Sequence, residues 1–357
     1  MLSETVKTLV VTLALVPALA TAIPLVRKTD WWIRLFDFPR LQVAVIGVAA
    51  LAIYPWVFEY SVVDYTVLTA AFAATLWQLH WILPYTPLAK KQVMTARKTV
   101  PQERVRLLVA NVLTPNRRAP DLLHLIEKAD PDVVLTLESD AWWEQQLTAL
   151  EPRYPYCLKC PLNNLYGMHL YSRLELVDPE IRYLVEKDIP SMHAELVLRS
   201  GHRLELHCLH PVPPSPTQNE TSAERDAELL IVGRAVGQGN RSVIVTGDLN
   251  DVAWSRTTRL FRKISGLLDP RIGRGLFSTF HAEYPFLRWP LDHLFHSDDF
   301  TLVSIRRLPY FGSDHFPILI ELQHEPRAEP HQQAPSADAE DRRRMHEKIN
   351  AVAHTPL

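Results

Sequence analysis

Three uncharged runs within the first 98 residues constrain this chain more than any other feature. They are "TLVVTLALVPALATAIPLV" (8–26), "LQVAVIGVAALAIYPWVF" (41–58) and "YTVLTAAFAATLWQLHWILP" (65–84). About 20 apolar residues span the hydrocarbon core of a bilayer, and a helix there satisfies its own backbone, prolines included. Trp31, Trp32, Trp56, Trp77 and Trp81 lie within or just outside the runs, where interfacial rings settle. The runs lack the polar face that a helix on a soluble core would show. A cleavable leader is the alternative for the first run, since "ALATA" offers small residues. Only Lys7 precedes it as a basic residue, with Glu4 nearby, and it is long for a leader's apolar region. Three retained transmembrane helices are therefore expected, near 8–26, 41–58 and 65–84.

Basic residues set the orientation. Arg27, Lys28, Arg34 and Arg40 follow the first run, and Lys90, Lys91, Arg97 and Lys98 follow the third. These two stretches share a side, and the positive-inside rule makes that side, and the rest of the chain, cytoplasmic. An integral protein of a bacterial-type inner membrane is expected, with an anchor (1–98), a body (99–325) and a disordered charged tail (326–357). Beyond residue 98 the chain holds 29 basic and 35 acidic residues, a balance poorly suited to non-specific duplex binding. Three cysteines, Cys157, Cys160 and Cys208, are too few for a disulfide framework. The C-x-x-C pair lacks the second pair of a zinc site and reads as ordinary thiols.

From Val105 the pattern shortens. "RVRLLVANV" and "DVVLTLE" read as strands, "APDLLHLIEKADP" and "SDAWWEQQLTALEPRYP" as helices. "YGMHLYSRLEL", "HAELVLRSG" and "HRLELHCLH" read as consecutive strands, with Ser200 and Gly201 turning a hairpin between the last two. "TSAERDAELLIVGRAVG" is a helix with Thr221 or Ser222 at its cap. Then follow "SVIVTGDLND", "PLDHLFHS", "FTLVSIRRL" and "HFPILIEL". Hairpins interrupted by helices predict an α+β fold, sheets inside and helices outside.

The apolar runs are bordered by polar residues able to do chemistry: Asn111, Glu138, His210 and Asp248 with Asn250 end theirs, "PLDHLF" carries Asp292, and Asp314 with His315 stand just before the last strand. One such residue is normally a cap or a turn. Six places in one body exceed what turns require. Carboxylate and amide oxygens suit a hard cation such as Mg²⁺.

The ordered set, with "GDLN" and then "SDH" separated by an Asp-bearing strand, resembles the endonuclease/exonuclease/phosphatase superfamily of deoxyribonuclease I-like phosphoesterases over about residues 104–323. The resemblance implies a four-layer α/β sandwich delivering these residues to one mouth. It implies Glu138 as ligand of Mg²⁺, or Mn²⁺, with Asn111 nearby and Asp314 in support. Asp248 would orient or activate the attacking water, and Asn250 would hold the phosphate or that water. His315, its ring fixed by Asp292, would serve as base or phosphate contact. His210, in "LHPVPP", matches the branch that sets a second histidine as general acid on the leaving oxygen. Some members carry an acid two positions after the first-strand Asn; this chain has Leu113, which implies one metal rather than two. His207, His281, His293 and His296 are bystanders in this reading, although His293 is near enough to line the pocket. Arg173 closes a strand, with a lesser chance of meeting phosphate, and Asp251 is a turn residue.

A fold does not name a substrate. The acidic body and the tether, which raises the effective concentration of anything in the bilayer, favour a lipid head group. A nuclease acting on DNA or RNA is the alternative. A non-catalytic membrane scaffold is a third, disfavoured because Glu138, His210, Asp248, Asn250 and His315 are all present.

Overall fold

The computed structural model describes residues 4–353. Its N-terminal part is a base of three helices, α1 (Glu4–Ala22), α3 (Arg40–Ile53) and α4 (Val62–Ile82), with a single turn, α2 (Trp31–Arg34), between the first two. With short extensions they run over Glu4–Leu25, Arg40–Val57 and Val62–Tyr85, each long and apolar enough to cross a membrane by length and composition. Small residues let them pack: Ala14, Ala50 and Ala71 are buried between them. At Gly47 a Cβ would stand 2.1 Å from Thr75 Oγ1, so glycine is what permits α3 and α4 to approach. The outer face exposes Leu9, Leu19, Val45 and Phe72. α4 opens on a reciprocal cap, in which Asp64 N–H donates to Ser61 Oγ and Ser61 N–H to Asp64 Oδ2.

The body begins with β1 (Arg104–Asn111), α5 (Ala119–Ala129), β2 (Val133–Leu137), α6 (Ala141–Leu147), β3 (Tyr156–Cys160) and β4 (Met168–Ser172). β5 (Leu176–Arg182), β6 (Ser191–Val197), β7 (Arg203–Leu209), α7 (Ala223–Gln238), β8 (Val243–Asp248) and α8 (Arg256–Ser265) come next. The chain ends with β9 (Asp292–His296), β10 (Phe300–Arg307), β11 (Ile318–His324) and α9 (Ala339–Ala353). One sheet has the order β10-β11-β1-β2-β4-β3, the other β5-β6-β7-β8-β9. The period-two pattern of β1 explains the layering. Val105, Leu107 and Val109 point into the core between the sheets, whereas Leu108 and Ala110 point outward, under α5 and α6. α7, α8 and α9 cover the second sheet's outer face. This is the expected α+β sandwich of four layers.

Each sheet contains one parallel pair, β1 with β2 and β7 with β8. Asn111, Glu138, His210 and Asp248 end or follow those four strands. Antiparallel pairing brings two further segments to the same mouth. Asp292 opens β9 directly opposite Asp248, and β11 starts beside Val109, just after Asp314 and His315.

Several expectations are corrected. "YGMHLYSRLEL" is two strands in different sheets, because the chain crosses over at Arg173, where Ser172 Oγ donates to Leu174 O at 2.7 Å. "YCLKC" forms β3, a strand the sequence pattern does not suggest; its cysteines and Cys208 are free thiols, as expected. The sequence pattern does not suggest α8 either, although Ser255 accepts from Thr258 N–H and Gly266 closes the helix in the left-handed region. The segment after 325, expected to be a disordered tail, carries the 15-residue α9. Met345 and Ile349, one turn apart, pack on the α7 and α8 layer, and Lys348 and Asp341 pair with Asp226 and Lys263 at 2.6 and 2.8 Å. Two apolar residues in a charged run are a weak periodic signal, which is why composition alone suggested disorder.

Candidate active site

The turn after β8 is organised by Gly247. Its φ is +142°, and a Cβ there would lie 1.9 Å from Leu209 O on β7. Asp248, buried, follows. Its Oδ1 accepts from Asn250 N–H at 2.9 Å, and its Oδ2 accepts from Asn111 Nδ2 at 3.1 Å. The same Oδ2 stands 3.5 Å from His315 Nε2 and 3.9 Å from His210 Nε2. Asp248 thus lies between two histidines delivered by different segments. Burial works to raise its pKa, but His315, His210 and the donors around it hold it below the usual carboxylate range.

Leu113, Glu138 and Asn250 all take positive φ (57°, 57° and 49°). Backbone of this kind costs energy away from glycine and concentrates at functional sites. Glu138 receives Asn111 Nδ2 on Oε1 at 2.7 Å, while its buried Oε2 has no partner among the described residues. Burial raises its pKa to about 7, with the Asn111 hydrogen bond opposing. Asn111 Oδ1 accepts from Leu113 N–H at 3.1 Å, and its Nδ2 donates to both Glu138 and Asp248, so Asn111 orients the two carboxylates through its nitrogen. Asp314 makes no hydrogen bond to Glu138 or Asn111. Its charge is felt by Glu138 and by His315.

His315 Nδ1 meets Asp292 Oδ2 at 2.8 Å. Burial alone would discharge the ring, but Asp292, Asp248 and Asp314 more than offset it and hold the pKa at about 10. Burial, opposed by Asp248, leaves His210 at about 4, and its Nδ1 has no partner. Asn250 Nδ2 donates to Pro211 O at 2.9 Å, tying the Asp248 turn to the segment after His210.

The remaining candidates separate cleanly. His293 bonds Arg271 Nη2 at 2.7 Å and Asp251 O at 2.8 Å, deep in the core. His207 pairs with His193, and Arg173 with Asp130. Asp251 is more than a turn residue, because Ser255 and Thr258 hydroxyls donate to its Oδ2 and so anchor the start of α8. Sequence reasoning missed Tyr166, whose ring lies 5.3 Å from that of His210, and Phe280, 5.0 Å from that of His315. Neither carries a sequence signal distinguishable from ordinary core.

A divalent ion fits here on the evidence of an orphaned carboxylate oxygen. Oε2 of Glu138 is buried beside Asp248 and has nothing to bond, a costly state unless a cation completes it. Ligand atoms of Asp248, Asp292 and His315 also lie within 4.8 Å of one another, but the last two already satisfy each other. His202, Asp299 and His324 form another such group. They sit outside the mouth, where Ser242 meets His202 at 2.7 Å and Glu103 meets His324 at 3.3 Å.

The comparisons with known proteins bear on the family and the fold. The sequence profile described as "Endonuclease/Exonuclease/phosphatase family" matches residues 108–315. No curated protein sequence matches the chain. Among solved structures, D. rerio TDP2 complexed with single strand DNA product is similar with a TM-score of 0.52 at 17% identity, covering 62% of this chain and 99% of that one. An endonuclease/exonuclease/phosphatase family protein from Bacteroides thetaiotaomicron gives 0.51 at 19% identity, covering 61% and 97%. At these identities the structural likeness concerns the fold.

Proposed function

Because the chain belongs to the endonuclease/exonuclease/phosphatase family, and is thereby a metal-dependent phosphoric ester hydrolase, we propose that it is membrane-anchored and cleaves a phosphodiester at the bilayer surface. One observation carries this reading. The segment from Phe280 to Trp289 has its two ends paired with each other beside the catalytic histidine, and its tip lies against the helical base. Phe280 packs on His315; Trp289 packs edge-on against Phe38, with ring centroids 5.8 Å apart; Gln42 Nε2, in the first turn of α3, donates to Phe286 O at 2.8 Å. The tip exposes Tyr284, Leu287 and Phe286, the last at 86%. Apolar side chains exposed next to apolar helices favour insertion into the same bilayer, which would hold the catalytic mouth against lipid head groups.

Glu138 is the residue that would hold the ion, with Asn111 orienting it and Asp314 adding charge; oxygen donors favour Mg²⁺. Bound there, the ion supplies Lewis-acid stabilisation of the phosphoryl oxygens. Asp248 orients the attacking water between the two histidines. His315, fixed by Asp292, and His210, with a free Nδ1, are the pair that exchanges protons with the water and the leaving oxygen. The basic stretches around 27–40 and 90–98 lie at the end of the helices that carries the body, which supports a cytoplasmic body.

Cleavage of nucleic acid is the second reading, favoured by the DNA product bound to D. rerio TDP2. One panel separates the two. Full-length protein in detergent is offered vesicles containing sphingomyelin or phosphatidylinositol phosphates, and separately plasmid DNA and RNA. Turnover of a vesicle lipid is expected; cleavage of DNA or RNA with every lipid left intact would replace this reading with the second.

A further inference from the structure

Base and body do not meet flush. Between them lies a cavity of about 720 Å³, walled by Leu25 after α1, Trp77 and Trp81 on α4, the first turns of α8 and one face of α9. It is separate from the catalytic mouth, although Arg225 in its wall donates from Nη1 to Asn250 O at 2.7 Å.

The charge of this cavity is unbalanced. Lys263, Arg343, Arg344 and Lys348 each reach a carboxylate. Arg27, Lys28, Arg256 and Arg259 make no ion pair among the described residues. Arg256 Nη2 donates to Leu25 O at 3.3 Å. Arg259 Nε donates to the carbonyls of Trp254 and Ser255, and its guanidinium lies 3.7 Å from the centre of the Trp81 ring. Arg256 and Arg259 occupy the first turn of the ten-residue α8, which contains no acid. That end of a helix is already positive, so cations there are repelled and an anion is attracted. Burial, then repulsion from Arg40, lowers the pKa of Arg259 to about 10; burial and Arg34 lower that of Arg256. The wall also carries Asp37, Asp226, Asp251, Glu340, Asp341 and Glu347, each already paired with another cation. Four cations without an ion pair thus line a half-enclosed space whose apolar part is Trp77, Trp81, Leu25 and Leu260. A soluble anion would satisfy the cations alone. A ligand with a phosphate at one end and hydrocarbon at the other satisfies both walls.

We propose that this cavity binds an anionic phospholipid, its phosphate among Arg27, Lys28, Arg256 and Arg259 and its upper chains against Trp77, Trp81 and Leu25. The inference rests on the membrane reading above and is independent of the catalytic one.

The test follows the melting temperature of the full-length protein in neutral detergent during titration with phosphatidylglycerol, phosphatidylcholine of the same chains, or sodium phosphate. Phosphatidylglycerol is expected to raise it by about 4 °C at saturation, through preferential binding to the folded state. Phosphatidylcholine should leave it unchanged, and Arg256→Gln/Arg259→Gln should abolish the rise. Should that variant not fold, Arg27→Gln/Lys28→Gln, in a loop, is expected to show the same loss. An equal rise with sodium phosphate would overturn the lipid in favour of a soluble phosphate. No rise with either anion, or an undiminished rise in the variants, would overturn the site. The membrane reading is checked apart from this. A chain released from membranes by alkaline carbonate removes the bilayer, whereas an embedded chain without a phosphatidylglycerol shift removes only the site.

Discussion

Asp248 reaches the mouth because the residue before it has no Cβ, and a methyl at Gly247 would collide with Leu209 O on the neighbouring strand. Gly247→Ala must therefore part β7 from β8 where His210 and Asp248 face each other. We expect a loss of stability of about 3 kcal/mol with loss of hydrolysis; a variant with the wild-type melting curve would contradict this. Asp269 sets an acid limit of a different kind. Burial pushes its carboxyl up, but the Arg271 guanidinium, at 2.9 Å, brings it down to about 2 from 3.8. A folded pKa below the unfolded one means that the stabilisation is complete above pH 3.8 and is lost as pH falls toward 2, on the order of 2 kcal/mol. Asp269→Asn should flatten that limb of the melting-temperature profile. It should also cost about 3–5 kcal/mol at neutral pH, by leaving Arg271 buried without its partner. Unchanged melting at pH 7 would refute the pairing. The sequence displays Asp248, Glu138 and His315 openly, since the first two end apolar runs and the third stands just before one. Asp269, Arg271, Tyr166 and Phe280 stay hidden, because their neighbours are made by folding and leave no pattern along the chain.

At the scale of elements, period two and turn chemistry locate most strands, and the order of polar ends anticipates which of them meet. What they miss follows from the same physics. The crossover between sheets at Arg173 is marked only by Ser172-Arg173 in an otherwise strand-like run, and α8 is short and rich in arginine. α9 packs two apolar residues, Met345 and Ile349, from a charged stretch, too few to outweigh composition. The loop from Phe280 to Trp289 is the element on which the lipid reading depends. Phe286→Asp puts a charge at its exposed tip, far from the reacting groups. Hydrolysis of soluble bis(4-nitrophenyl) phosphate should be unchanged, while hydrolysis of a vesicle substrate falls at least about tenfold, the equivalent of roughly 1.4 kcal/mol of lost insertion. Equal loss on both substrates would show that the loop shapes the mouth instead of seating it.

For the whole molecule, the helical base and the sandwich act as one device in this account, the base placing a metal-dependent mouth beside the surface it works on. In the proposed topology the basic loops would place the body in the cytoplasm. A C-terminal reporter that is active only in the periplasm would reverse this, and one active in the cytoplasm is expected. The most direct measurement concerns the ion. Full-length protein is stripped with EDTA and assayed on bis(4-nitrophenyl) phosphate while Mg²⁺ or Mn²⁺ is restored, alongside Glu138→Gln and His315→Ala. Stripped protein should be inactive and regain activity with either ion. Folded Glu138→Gln should need much more ion, and His315→Ala should lose about 10²–10⁴-fold in kcat at saturating ion. Full activity in EDTA, or in a folded His315→Ala protein, would contradict the account.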